Sequence, residues 1–299
     1  MEEIKKKKIS YSQYSTWSSC SYRWFLDYAL GLRKFDASIN TCFGTAIHFA
    51  IQTYLKALYT EGAEAADKIE VFKMFKQEFE KELGKKDNDG KQVVTYTDDE
   101  YTEFVFDGED LLKAFLDTST RIKHFPSKKY EFIGVETPVE MDIKNNLKFI
   151  GYLDLILKEK SSGVYKIIDF KTSYNGWNQY QREDTLKAEQ LLLYKAFYAN
   201  MLNVPLDKIE VEFFILKRKL YENVAYPQSR IQKLSPTQNK PMITKAVNNL
   251  IEFINNCFTE NGEYNKDGVY YKNPGKAKKN CKYCKHYKTE NCDGREDKE

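Results

Sequence analysis

The chain has no surplus of charge: 47 basic residues against 44 acidic ones leave a net charge of +3 over 299 residues. A global positive field of the kind that holds a protein on nucleic acid is therefore excluded, and any such contact has to come from a local basic surface. Long apolar runs are missing too. No window approaches eighteen uninterrupted apolar residues, and Met1 to Lys8 carries four lysines after Ile4 with no apolar stretch behind them. Neither a membrane-spanning helix nor a secretory leader is expected, and the expected location is cytoplasmic. No internal repeat is visible. No glycine-rich phosphate-binding loop of an ATP-driven motor is present, so any unwinding of a duplex falls to another chain.

With 41% hydrophobic and 30% charged residues, the chain has enough apolar content for one sizeable core or two modest ones. Six cysteines in a reducing compartment point to metal ligation rather than a disulfide framework. Cys281, Cys284 and Cys292 crowd the C-terminal end.

The first third reads as helical. Ser10 is a plausible N-cap for a segment through Tyr14 and Trp17 to Cys20, continued by Tyr22-Arg23-Trp24-Phe25-Leu26 and stopped near Gly31. Ile47, Ile51 and Leu55 mark one stripe of a helix from Gly44 to Leu58, and further helical patterns cover 63–83 and 98–115. The character then changes to strands over 130–139, 147–157 and 164–170, a helix over 186–202 and a strand over 209–216. A strand around 224–234, a helix over 237–258 and a lysine- and cysteine-rich tail follow. The order implies an α/β fold with a mixed central sheet flanked by helices. The segments divide as 1–125, helical; 126–235, the core; and 236–299, a helix with the cysteine cluster, expected to form one integrated domain.

Two of the strands each end in an acid. Gly151-Tyr152-Leu153-Asp154 supplies one carboxylate, and Ile167-Ile168-Asp169-Phe170-Lys171 supplies a second with a lysine two residues on. On a strand Asp169 and Lys171 share a face while Phe170 points to the other. Taken alone the acid-x-Lys triplet is weak, since this composition yields roughly half a dozen by chance and a strand-end salt bridge explains it equally well. Hairpin pairing that brings Asp154 beside Asp169 makes a stronger case, because two close carboxylates repel unless a cation lies between them.

Asp154 followed by Asp169-Phe170-Lys171, in strand-strand-strand-helix-strand order, resembles the motif pair of the PD-(D/E)XK nuclease superfamily, with its restriction-endonuclease-like core. Gly44-Thr45-Ala46-Ile47-His48 resembles the Gly-x-x-x-His motif of its RecB-type branch, and Gln190-Leu191-Leu192-Leu193-Tyr194 its Gln-x-x-x-Tyr motif. The resemblance implies Mg²⁺ or Mn²⁺ held by His48, Asp154, Asp169 and the Phe170 carbonyl, with Glu136 as a further acidic contributor. Lys171 would position the attacking water or neutralise developing charge, and Gln190 with Tyr194 would hold a phosphate or orient Lys171. Read without the family, His48 is a structural helix histidine and Gln190 with Tyr194 a half-buried polar pair one turn apart.

Cys281, Cys284 and Cys292 are one ligand short of a tetrahedral site. Cys20 followed by Tyr22-Arg23-Trp24-Phe25 resembles the N-terminal box of iron-sulfur RecB-type nucleases, a group that includes CRISPR-associated RecB-like exonucleases and AddB-type subunits. There one N-terminal and three C-terminal cysteines hold a 4Fe-4S cluster. Two departures stand out: seven residues separate Cys284 from Cys292, where five are usual, and Ser21 replaces the usual proline. His286 leaves a mixed Cys-His zinc site as the alternative, while Cys42 and Cys257 read as buried thiols.

The implied function is a metal-dependent deoxyribonuclease, an exonuclease on single-stranded DNA or DNA ends, with a helicase or recombination partner. The alternative is a non-cleaving DNA-binding or assembly module that keeps the fold. The segment Tyr174-Asn175-Gly176-Trp177 just beyond Lys171 is expected to lie beside the DNA.

Overall fold

The computed structural model describes residues 6–33, 37–87 and 90–295. Strand β1 (Lys7–Ile9) leads into α1 (Tyr11–Ser19), capped by Ser10, whose hydroxyl accepts from the Gln13 N–H. At Cys20 the backbone becomes extended and separates α1 from α2 (Ser21–Trp24), which runs on as a wider turn over Phe25–Ala29. Helix α3 (Ile39–Thr60) starts at a reciprocal cap between Ser38 and Thr41, longer than the stripe predicts.

The predicted helix over 63–83 is broken into α4 (Ala63–Ala66) and α5 (Val71–Leu83). The turn between them is pinned by Asp67, which accepts from Tyr54 Oη at 2.9 Å and pairs with Arg121 at 2.8 Å. Helices α6 (Asp98–Leu116) and α7 (Thr118–His124) complete this half.

The sheet is formed by β1, β2 (Tyr130–Ile143), β3 (Leu147–Glu159), β4 (Tyr165–Ser173), β5 (Ile209–Lys217) and β6 (Ile231–Leu234). It is mixed: β1 with β3 and β4 with β5 are parallel, the other pairings antiparallel. The short helix α8 (Gln179–Arg182) and the long α9 (Thr185–Leu202) cross over between β4 and β5, and α10 (Lys240–Cys257) follows β6. The strand expected over 224–234 shrinks to its last four residues because Pro227 interrupts it. The Gln228 amide also closes the loop on Tyr221, accepting from its N–H at 2.8 Å and donating to its carbonyl at 2.6 Å.

Two apolar clusters cover the two faces. One joins α1, α9 and α10 to the sheet through residues such as Phe149, Leu153, Ile167, Phe213 and Phe253. The other joins α3, α5 and α6 to the sheet through Phe43, Phe75, Leu155, Ile168 and Phe214. Because both faces are covered, the central strands read as nearly continuous apolar runs. Among the described residues no helix is long and apolar enough to cross a membrane.

One detail of the pairing positions everything that follows. Along one edge β3 pairs with β2 over almost its whole length. The other edge is shared: Leu147–Phe149 pair with β1, and Leu155–Lys158 pair with β4. Beyond Leu155 and Ile168 the strands β3 and β4 part, and residues 150–154 face an open fork.

Candidate active site

Asp154 sits at the apex of the fork. Where the ladder ends, the Phe170 N–H loses its strand partner, and Asp154 Oδ2 accepts it at 2.8 Å. Alternation along β3 breaks here. Leu153 packs into the α9-side cluster and Leu155 into the α3-side cluster, although residues two apart on a regular strand share a face. On β4, Asp169 and Lys171 share a face as expected, and Lys171 Nζ lies 2.7 Å from Asp169 Oδ2. Asp169 is only 3% exposed, and apart from that ammonium its Oδ2 has no hydrogen-bond partner. A carboxylate has about four lone-pair sites, so one that is buried with a single ammonium against this oxygen keeps acceptor capacity for a metal ion.

Helix α3 brings His48 to the same place. Gly44 lets the helix lie against β4, for a Cβ there would stand 3.1 Å from Thr172 Oγ1. One turn later His48 Nδ1 is 3.8 Å from Asp154 Oδ2. Desolvation, reinforced by the Lys171 charge, lowers the His48 pKa to about 3, so the imidazole is neutral at pH 7 with a lone pair to offer. Burial and then the charge of Asp169 push Asp154 well above the usual carboxylate range. Burial also pulls Lys171 down, but Asp169 and Asp154 outweigh it and hold the ammonium above its ordinary value. Two neighbouring acids, of which Asp154 is raised by the charge of Asp169, stand with a lysine and a neutral histidine and supply oxygen and nitrogen donors of the kind a divalent cation takes.

From the other face α9 contributes Gln190 and Tyr194, with Gln190 Nε2 donating to Tyr194 Oη at 3.3 Å. Burial and the Asp169 charge raise the Tyr194 phenol to about 12, so it stays protonated. Its ring packs against β3 at Gly151, where a Cβ would stand 2.6 Å from Tyr194 Cε1. The glycine before Asp154 is thus a seat for the tyrosine of a helix more than forty residues away.

Glu136 lies on β2 opposite Asp154, in the gap between the pairs Val135 with Leu155 and Thr137 with Leu153. Its backbone takes φ +45°. Gln52, which the sequence reading passed over, donates from Nε2 to Glu136 Oε1 at 2.7 Å and to the Asp154 carbonyl at 3.1 Å. Its only sequence signal is the i, i+4 spacing from His48.

The segment after Lys171 divides. Tyr174 is 60% exposed, with the Arg218 guanidinium 5.1 Å from its ring centroid. Trp177 is buried against Phe213 and bound at its N–H and carbonyl by the Gln232 amide. Its ring has no face left for a base, which corrects the expectation for that residue.

Cys20, Cys281, Cys284 and Cys292 line one small cavity between the N-terminal helices and the tail, together with His286. All six cysteines are free thiols, with Cys42 and Cys257 buried elsewhere. Burial, followed by the neighbouring cysteines, raises the Cys281 thiol. The Asn273 N–H points at Cys20 Sγ at 3.4 Å, and Asn280 Nδ2 ties the Ser19 carbonyl to the Asn273 carbonyl at 2.9 and 3.1 Å. Ser21, standing where the resembled family has proline, accepts the Tyr271 N–H at 2.9 Å. His286 Nε2 is 2.8 Å from Asp27 Oδ1. Among the described residues, no three His, Cys, Asp or Glu side chains are already gathered around one point as single-ion ligands.

No curated protein matches this sequence. A solved structure, titled the crystal structure of SSO0001, is 13% identical with a TM-score of 0.28, covering 81% of this chain and 85% of its own, and at that score it carries no weight for the fold. The family model of the PD-(D/E)XK nuclease superfamily matches residues 8–288, from β1 into the cysteine-rich tail and ending before Cys292. With nearly the whole chain matched and the two acids and the lysine set at a fork in a mixed sheet, the chain belongs to the PD-(D/E)XK nuclease superfamily.

Proposed function

We propose that this chain is a metal-dependent deoxyribonuclease of the RecB-type branch, an exonuclease acting on single-stranded DNA or DNA ends. The observation that carries the reading is the meeting of His48, Asp154, Asp169 and Lys171 at the fork between β3 and β4, where, among the described residues, the Lys171 ammonium is the one partner of the buried Asp169 Oδ2. His48, Asp154, Asp169 and the Phe170 carbonyl would hold Mg²⁺ or Mn²⁺, the ions that nucleases of this superfamily generally use. Bound there, the ion supplies Lewis-acid polarisation of a phosphodiester and of water. Lys171, kept protonated by the two acids, offsets negative charge growing on the phosphoryl oxygens. Tyr194 is near enough to Lys171 for their charges to interact, and with Gln190 bonded to it would fix the lysine's position or grip a neighbouring phosphate. Exposed Tyr174 offers a ring beside the fork for stacking on an unpaired base.

We read the four-cysteine cavity as the seat of a structural 4Fe-4S cluster. Four thiols that line one cavity equal in number the ligands such a cluster takes. Zinc has one observation in its favour: His286 binds Asp27 through Nε2, which leaves Nδ1 available in the arrangement metal-bound histidines adopt. The segments 1–125, 126–235 and 236–299 act as one integrated domain in this reading, supported by the pairing of β1 with β3. A helicase or recombination partner, and a cytoplasmic setting, belong to this end-processing reading.

The test is incubation of purified protein with linear and circular single-stranded DNA in Mg²⁺ or Mn²⁺. Linear DNA is degraded, circles survive, and Asp169→Ala is slower by about a hundredfold to a thousandfold, the scale for removing a principal charge-stabilising group. Equal behaviour of wild type and Asp169→Ala overturns the nuclease reading, and cleaved circles overturn the exonuclease part. Iron content and visible absorption of anaerobically purified protein decide between cluster and zinc.

A further inference from the structure

We propose that Gln52 is a positioning residue that holds Glu136 over the fork as a third carboxylate, tuning how tightly the site takes a divalent cation. This rests on the metal-dependent reading above. Four observations meet here. Glu136 is passed over by the β2–β3 ladder, so it stands directly across from Asp154. Its φ of +45° is a conformation that a glutamate adopts only when its surroundings impose it, and such residues gather at functional sites.

The apolar alternation of β2 also breaks at this residue. Val135 packs with the α3-side cluster, whereas Val139, Met141 and Ile143 belong to the other face. Glu136 and Asp154 therefore mark, on neighbouring strands, the point where the sheet exchanges one core for the other. Irregularities of this sort re-aim a side chain.

Gln52 is what fixes the aim. It is 6% exposed, one helical turn beyond His48, and its amide nitrogen is spent on two acceptors, Glu136 Oε1 and the Asp154 carbonyl. One side chain thus ties the third acid to the strand that carries the first. Glu136 itself is exposed to solvent, and the bond through Oε1 leaves Oε2 for a ligand entering the fork. A buried amide with both acceptors on the acid-bearing strands has no comparable task in packing, since an apolar side chain of the same volume would fill the space.

Outer partners of metal ligands typically change affinity by about tenfold to a hundredfold when removed. The test is calorimetric titration of Mn²⁺ into wild type, Asp169→Ala, Glu136→Gln, Gln52→Met and the Glu136→Gln/Gln52→Met double variant. Methionine preserves the volume of glutamine and removes its donors. Gln52→Met should weaken Mn²⁺ by about tenfold with an unchanged circular dichroism spectrum. The double variant should bind no worse than Glu136→Gln alone, because Gln52 acts through Glu136. Cleavage by Gln52→Met should return to the wild-type rate at saturating Mn²⁺. Full affinity in Gln52→Met, or additive losses in the double variant, overturns the proposal. Uptake lost in Asp169→Ala but kept in Gln52→Met overturns the role of Gln52 alone, whereas no uptake by wild type removes the metal reading and this inference together.

Discussion

The fork between β3 and β4 and the cavity between the chain ends are held by different means. At the fork, strand pairing and helix packing set each functional side chain: β3 and β4 carry the acids, α3 rests on β4 through Gly44, and α9 rests on β3 through Gly151. At the cavity, Cys20 meets Cys281, Cys284 and Cys292 across most of the chain's length, on tight turns and isolated bridges joined to the N-terminal helices by a few side-chain bonds such as those of Asn280 and Ser21. A regular element can keep like charges together, because hundreds of packed atoms resist their repulsion. Turns cannot do so as well. The fork is therefore set by packing alone, whereas the cavity, under the cluster reading proposed above, would draw its order from what the cysteines hold.

The largest test of that contrast is Cys281→Ala. If the cysteines hold the proposed cluster, loss of one should give poorly soluble protein with little bound iron, since ligand energy there would be folding energy and the loop it closes is long. Normal yield, melting temperature and metal content in that variant would erase the distinction between the two regions.

A middle-sized effect is expected at the fork from Gly151→Ala. Its methyl group would meet the Tyr194 ring, costing about 1–3 kcal/mol by overpacking and moving Tyr194 from its place beside Lys171. Denaturant unfolding and the cleavage rate should both fall. A silent Gly151→Ala would mean that α9 is not seated on β3 as described.

The smallest effect is a slope with pH. His48 has a folded pKa of about 3 against an ordinary 6.5, so over that interval the unfolded chain takes up a proton that the folded chain refuses. Stability from this residue is full above pH 6.5 and is lost as the pH falls toward 3. Asp154, raised in the fold, acts in the opposite direction and partly masks the trend. Acidification should therefore destabilise His48→Gln less steeply than wild type in urea melts between pH 6.5 and 4. Parallel slopes would place His48 in water, away from the fork.

Much of this molecule was legible in one dimension, and the reasons differ by element. The strand order was readable because β3, β4 and β5 are buried on both faces and run nearly uninterrupted in apolar residues. The motif residues His48, Asp154, Asp169 and Lys171 were found because a familiar spacing set them apart, and the fold brings them to one place. Strand β1 was missed because its three residues are too short for any periodicity, and α7 because it presents no buried face. At the break between α4 and α5, Arg121 reaches Asp67 from another helix, a contact that no local pattern records. Trp177 was misjudged for a related reason: proximity in sequence to Lys171 says nothing about the Gln232 amide that claims its backbone.

The sequence by itself determined the class of the fold, the supply of acids, lysine and histidine, and the four cysteines at the two ends, since these follow from residue type and from periods of two and 3.6. Only the tertiary structure decided that β3 and β4 part just beyond Leu155, that Glu136 leaves the ladder to face Asp154, and that Gln52 joins them. Those are outcomes of competition between two cores for the faces of the same strands. A strand pattern can name the residues that will be buried, but not the point at which it changes sides.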